Sequence, residues 1–209
     1  MGKTVIMDHP LVKHKITRLR DENTGITEVR KLVNDISMLI GYEAMRELPT
    51  ELVPVTTPVM KTMQPMITQN NLTLVPILRA GLGMVEGLLS LVPMAKLGLI
   101  GLARDEETHK PYEYYCKLPA NAAEMTVVLA DPMLATGGSA IHAVDFIKSK
   151  GCSDIKFMCI IAAPEGLKAL NEAHPDIDIY VGSLDEGLNE NAYIIPGLGD
   201  AGDRIFGTL

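Results

Sequence analysis

From Leu72 onward the chain alternates between short, almost uninterrupted apolar runs and segments with helical spacing. "LTLVPIL" (72–78) reads as a strand, "LGMVEGLLSLV" (82–92) as a helix and "KLGLIGLAR" (96–104) as a strand. "MTVVLAD" (125–131) is again a strand, and "GSAIHAVDFIKSKG" (138–151) a helix closed by Gly151. "IKFMCIIAA", "EGLKALNEAHP" and "IDIYVGSL" then follow as strand, helix and strand, ending at Leu184. A strand that is apolar on both faces has to be covered on both faces. Helices between successive strands make those strands parallel. The pattern therefore predicts an α/β fold with a parallel-sheet core and helices on both faces. Such sheets bind ligands at the carboxyl ends of their strands, so the polar residues found there are the candidate site. Arg79, Arg104 and Asp131 each end or directly follow a predicted strand.

Two other segments complete the outline. "ITEVRKLVNDISMLIGYEAMREL" (26–48) places Val29, Leu32, Val33, Ile36, Leu39 and Ile40 on one helical face, with Thr27 as a candidate cap and Pro49 after its end. It predicts an N-terminal helical arm over residues 1–50, packed on the α/β body. "HKPYEYYCKLP" (109–119) alternates aromatic and polar residues and predicts a β-arm or hairpin. At 209 residues the chain is expected to form a single domain, 1–209.

Charge and cysteines narrow the function classes. The net charge of −7 argues against broad nucleic-acid binding, which needs a basic face, but not against an anionic small ligand held by a few arginines. Cys116, Cys152 and Cys159 form no CxxC pair and predict free thiols in a reducing compartment. The N-terminus has no apolar signal core, and no apolar run reaches membrane length. These features predict a cytoplasmic protein with neither membrane nor nucleic acid among its partners. The sequon at Asn71 is then a chance match.

The stretch "VVLADPMLATGGSAI" (127–141) carries the chemistry. A phosphate is held by backbone N–H groups converging at a helix N-terminus, where the helix dipole is also favourable. Gly137 and Gly138 permit close backbone approach, and Thr136 and Ser139 add hydroxyls. The segment lacks GxxxxGK[ST] and contains no lysine, so nucleotide hydrolysis of the P-loop kind is not expected. Asp131, just upstream, is placed to accept from the vicinal hydroxyls of a ribose whose 5′-phosphate sits in the cradle. A capped strand-to-helix turn uses the same residue types, and composition alone leaves both readings open.

The apolar strand, acid and "ATGGS" together resemble the phosphoribosyl-pyrophosphate (PRPP) signature of type I phosphoribosyltransferases. The broader signature has two adjacent acids; here the second position is Pro132, which is similar to the uracil phosphoribosyltransferase branch. "PILRAGLGM" (76–84) resembles that branch's pyrophosphate loop, and "YIIPGLGDAGDRIFGT" (193–208) resembles its uracil-binding tail. The resemblance runs from "DHPLVKHKITRLRD" to the C-terminus.

That resemblance implies the following site. PRPP would be bound by Arg79, Arg104, Asp131, Pro132, Met133, Leu134, Ala135, Thr136, Gly137, Gly138, Ser139 and Asp200. The catalytic set would be Asp131, Asp200 and Arg104. Uracil would be held by Ile194, Gly199, Asp200 and Ala201 in a C-terminal hood, about 190–209. Mg²⁺ is the implied cofactor, held mainly by substrate and water, with no protein metal cage. A homodimer or larger homo-oligomer is implied, with GTP or another nucleotide as a possible effector. An unusual peptide geometry is expected at Arg79-Ala80-Gly81.

Bland readings weigh on the remaining residues. Gly197, Gly199 and Gly202 spell GxGxxG, but the chain ends at Leu209, before a dinucleotide fold could supply its later acid. The alternative of a mobile glycine-rich end is opposed by "AYIIP", which should anchor it. His9, His14, His109, His142 and His174 show no metal spacing, and His142 falls inside a predicted helix. Tyr112, Tyr114 and Tyr115 suit packing or a subunit contact, and "RDEETHK" (104–110) suits a solvated loop that folds over the site. The reading is transfer of ribose 5-phosphate from PRPP to uracil. Its rivals are a phosphoribosyltransferase for another base and an RNA-binding, nucleotide-sensing regulator on the same fold.

Overall fold

A computed structural model describes residues 2–67, 71–104 and 111–208, with the backbone alone at Arg104 and Pro111. The loop 105–110, and His109 with it, lies outside the described residues. Strand β1 (Thr4–Ile6) leads into helices α1 (Pro10–Arg20) and α2 (Ile26–Ala44), then strands β2 (Thr50–Thr56) and β3 (Lys61–Ile67). The body follows as β4 (Leu72–Leu78), α3 (Leu82–Leu91), β5 (Lys96–Leu97), β6 (Leu99–Arg104), β7 (Pro111–Lys117), β8 (Thr126–Ala130), β9 (Met133–Leu134) and α4 (Gly138–Ser149). It closes with β10 (Ile155–Ala162), α5 (Pro164–Ala173), β11 (Asp178–Leu184), β12 (Gly187–Leu188), β13 (Ile194–Ile195) and α6 (Ala201–Phe206).

The main sheet runs β1-β11-β10-β8-β4-β6-β7, parallel throughout except for β7, with β5 and β9 as short additions to β4 and β10. Strands β8 and β10 are buried at every residue, and β4 at all but its last. Their side chains alternate between two cores. Leu74, Val128, Ala130, Met158 and Ile160 pack with α1, α2 and α3 on one face. Val75, Val127, Leu129, Phe157 and Cys159 pack with α4 and α5 on the other. Each fully buried aliphatic side chain contributes roughly 1.5–3 kcal/mol, which is why these strands show no polar alternation.

Chain connections run from β4 outward to β6 on one side and from β8 outward to β10 on the other. The order of the sheet therefore switches between β4 and β8, and a crevice opens above their carboxyl ends. Pro76 and Ala130 are paired in register, so Arg79 and Asp131 emerge on either side of that crevice.

Several expectations need correction. The N-terminal helices do pack on the body, but the chain first adds β1 to the sheet beside β11. Helix α2 begins after Gly25, which has no side-chain cap, and Thr27 lies inside the first turn. Of the two forms expected for residues 109–119, the hairpin is the one found: β7 pairs antiparallel with β6 at the sheet edge. The separate two-stranded arm is β2–β3, paired from Thr50↔Ile67 to Thr56↔Lys61. Pro54 and Pro65 lie within its strands, which a two-stranded ribbon tolerates because each strand has an outward-facing edge whose positions need no donor; Pro58 lies in the connection between them. The tail is anchored at "AYIIP", as its apolar character implied, with Ile194 buried. β13 pairs with β12, and α6 buries Ala201 and Ile205. Among the described residues, no helix is long and apolar enough to cross a membrane, and the three cysteines are free.

Candidate active site

The phosphate-type loop is built as a continuation of the sheet. After Asp131 the chain passes through Pro132, whose carbonyl accepts from the amides of Ile160 and Ile161 at 3.0 and 3.1 Å. Met133 and Leu134 then pair with Ile161 and Ala162. Pro132 and Leu134 are buried, so these two can meet a ligand only through their main chain. Ala135, Thr136, Gly138 and Ser139 are at least partly exposed at the loop's end. Gly137 has φ 87°, a left-handed value that turns the chain into α4. The amides of the first turn of α4 have no partner within the helix. A Cβ on Gly166, at the start of α5, would stand 2.3 Å from the Ala135 carbonyl oxygen. A glycine there lets α5 brace the loop from behind.

Asp131 is half-buried at the end of β8. Its own amide donates to the Met158 carbonyl at 3.1 Å. Burial pushes its carboxyl up to about 7, opposed in part by the Met133 amide that donates to it. Across the crevice, Arg79 is exposed and makes no ion pair among the described residues. The Leu78–Arg79 peptide is cis, which agrees with the unusual geometry expected there. Gly81 packs over the end of β8, where a Cβ would lie 2.5 Å from the Ala130 carbonyl oxygen. Arg104 closes β6, the neighbour of β4; its side chain lies outside what is described.

A cavity of about 220 Å³ joins this loop to the tail. It is lined by Ala80 from the arginine loop, by Met133 and Ala135 from the phosphate-type loop, and by Ile194, Gly199, Asp200 and Ala201 from the tail. All four tail residues singled out by sequence thus meet in one place. Ala192, Tyr193 and Gly202 complete the lining; Tyr193 and Gly202 belong to the stretch that resembles the uracil-binding tail, whereas Ala192 precedes it and was not singled out. A small side chain such as that of Ala192 carries little sequence signal, whereas Tyr193, half-exposed beside the apolar "IIP", opens the tail motif. Asp200 caps α6, its carboxylate accepting from the Asp203 amide at 2.9 Å. Larger cavities lie elsewhere: one of about 430 Å³ beside β7, one of about 470 Å³ at the amino ends of the strands and one of about 340 Å³ between α2, α3 and Ile67. None of the three shares a lining residue with the cavity at the crevice.

A family model described as uracil phosphoribosyltransferase matches residues 5–208. The chain belongs to the uracil phosphoribosyltransferase family. It is 59% identical over 208 residues to the uracil phosphoribosyltransferase of Streptococcus thermophilus, covering all of both chains. It is 56% identical, with the same coverage, to that of Geobacillus kaustophilus. Among solved structures, the AQ2163 protein of Aquifex aeolicus superposes with a TM-score of 0.92 at 40% identity, covering 97% of each chain. An adenine phosphoribosyl transferase from Trypanosoma brucei, at 15% identity and a TM-score of 0.59, covers 94% of this chain and 87% of its own and shares the fold.

Proposed function

We propose that the protein transfers ribose 5-phosphate from PRPP to uracil, releasing UMP and pyrophosphate. One observation carries the reading: a single cavity is walled on one side by the phosphate-type loop and on the other by the glycine-rich tail. A ribose held by its 5′-phosphate at α4 then presents its anomeric carbon toward a flat base in that cavity. No covalent nucleophile is needed. As pyrophosphate leaves, C1 gains oxocarbenium character and uracil N1 attacks from the opposite face. Catalysis is positioning plus charge stabilisation. The ionised Asp131 accepts from the ribose hydroxyls. Arg79 and Arg104 face the leaving pyrophosphate, for which the guanidinium fork is suited. Asp200 stands on the cavity rim, near the reacting carbon in this pose.

Mg²⁺ would supply charge neutralisation on the pyrophosphate. Among the described residues there is no group of three or more His, Cys, Asp or Glu side chains to hold a metal ion. In this reading substrate oxygens and water would be its main ligands, and Asp200 would reach it through water.

Main-chain groups of Ile194 and 199–201 read the base. Uracil offers N3–H between two carbonyls, whereas cytosine offers an acceptor and an amino group. Cytosine meets two mismatches, each costing about 1–3 kcal/mol, so discrimination should span several powers of ten. Product analysis with PRPP, Mg²⁺ and each free base tests this. UMP and pyrophosphate from uracil alone are expected. Comparable turnover of cytosine or a purine would sink the base assignment.

The protein also acts as a homodimer or larger assembly in this reading. The β2–β3 arm exposes Leu52, Val59, Met60 and Met63, at 66%, 91%, 62% and 52%. A patch of this kind is what a second subunit covers. The three free thiols fit a reducing compartment such as the cytoplasm.

A further inference from the structure

The tail that lines the base cavity is held from a distance. Its segment from Ile194 to Asp200 contains the cis Ile195–Pro196 peptide and the left-handed Gly197 and Gly199. Beyond the short β12–β13 pairing, its main chain is tied to the side chains of Arg20, remote in sequence, and of Asp185 and Arg204, which flank the segment. Arg20, the last residue of α1, reaches it first. Its two terminal nitrogens fork onto Asp185, Nη1 to Oδ2 at 2.7 Å and Nη2 to Oδ1 at 2.5 Å. Nη1 also donates to the Gly197 carbonyl at 2.7 Å. Asp185, at the carboxyl end of β11, has a side chain only 1% exposed. It accepts in addition from the Gly197 amide at 3.0 Å and the Ser183 hydroxyl at 3.1 Å. Both main-chain polar groups of Gly197 are thus clamped by one ion pair.

A second arginine works in the reverse direction. Arg204 of α6 donates through Nη1 to the carbonyls of Leu198, at 2.9 Å, and Leu19. Through Nη2 it donates to the Asp21 carbonyl at 2.7 Å. Its charge sits at the C-terminal end of α1, where the helix dipole is negative. The end of α1 and the tail are therefore cross-latched, each contributing an arginine to the other's main chain.

A buried ion pair adds little net stability, because desolvation offsets most of its attraction. Its consequence here is geometric: it sets where Gly197 and Leu198 stand, immediately before the cavity-lining Gly199. We infer that Arg20 and Asp185 are positioning residues for base recognition, fixing the register of the uracil-reading main chain without touching substrate. The inference rests on the reading of the tail as the base site.

The test is steady-state kinetics on the full-length protein with Arg20→Lys, Arg20→Met and Ser183→Ala, plus PRPP binding by calorimetry without uracil. Arg20→Lys keeps the buried charge paired but loses the fork, so it is the variant most secure in folding. A displacement of about 1 Å in reading groups can cost up to ~100-fold, so the KM for uracil should rise ~10–100-fold in Arg20→Met, with PRPP affinity within about three-fold of the parent. Arg20→Lys should recover part of the loss, and Ser183→Ala should show a smaller effect of the same kind. Hydrogen exchange should show faster opening of the amides of 197–199 with those of α4 unchanged. An unchanged KM for uracil in Arg20→Lys and Ser183→Ala, or parallel losses of uracil and PRPP affinity, would overturn the inference. If the parent protein itself did not use uracil, the base assignment would fail first, before any variant was compared.

Discussion

Asp131 carries the sharpest conflict between stability and function. Its carboxyl titrates near 7 in the folded protein, against 3.8 for the free group. Between those values the native state keeps a proton that the unfolded chain has lost, so stability falls as pH rises through that window. The cost of ionising this group at pH 8 is about 2–4 kcal/mol, taking the half-exposed position into account. Asp131→Asn removes that cost. Urea titrations should find the variant more stable than the parent at pH 8 and equal to it near pH 4. Turnover should nonetheless collapse, because the ribose hydroxyls need a charged acceptor. In the parent, kcat/KM for PRPP should climb as pH rises through about 7, which a pH profile would read directly. Gly137 is constrained differently. At φ 87°, with a Cβ that would lie 3.0 Å from the Gly166 carbonyl oxygen, Gly137→Val meets both a left-handed penalty of ~1–2 kcal/mol and a contact. Loss of PRPP binding by calorimetry is the expected outcome. Normal binding would mean that the loop does not hold the phosphate.

Element by element, the strands and helices that a parallel sheet requires were readable, because long apolar runs and helical spacing are local signals. β4 and β10 fall where the apolar runs do. β1, with three residues, and α6, with six, are too short to carry a period. The β2–β3 arm has no apolar face turned to a core, so periodicity could not distinguish it from a loop. Bracing of the phosphate-type loop by α5 belongs to this scale. Gly166→Ala places a methyl group 2.3 Å from the Ala135 carbonyl oxygen and 2.8 Å from that of Leu134. Backbone cannot yield as a side chain tip does. The helix or the loop must move, at ~1–3 kcal/mol of stability. Weaker PRPP affinity, with a lowered Tm, is expected although Gly166 is outside the cavity lining. A lowered Tm with unchanged PRPP affinity would show that α5, and not the loop, had moved.

At the scale of the whole molecule, the β2–β3 arm leaves a set of large apolar side chains exposed. The arm's exposed side chains predict self-association through β2–β3. Val59→Glu combined with Met60→Glu should shift the protein toward monomer in light scattering at unchanged helix content. An unaltered molecular mass would place the subunit contact elsewhere, and the tyrosines of β7, exposed at 45–56%, would be the next surface to alter.

What the sequence determined by itself is what covalent neighbours share. The alternation of runs set the sheet and its two helical layers. The step from Asp131 to Gly137 set an acid and a phosphate-type loop at one strand end. "YIIPGLGDAG" set a glycine-rich tail anchored by an apolar start. Only the tertiary structure decided which of these meet. Ala80, Met133 and Gly202 come together in one cavity because β4, β8 and the tail converge there. Arg20 and Asp185, separated by 165 positions, join because α1 crosses the carboxyl end of β11. Asp131's raised carboxyl belongs to the same class. Desolvation is a sum over neighbours from every layer, and no window of sequence contains them all.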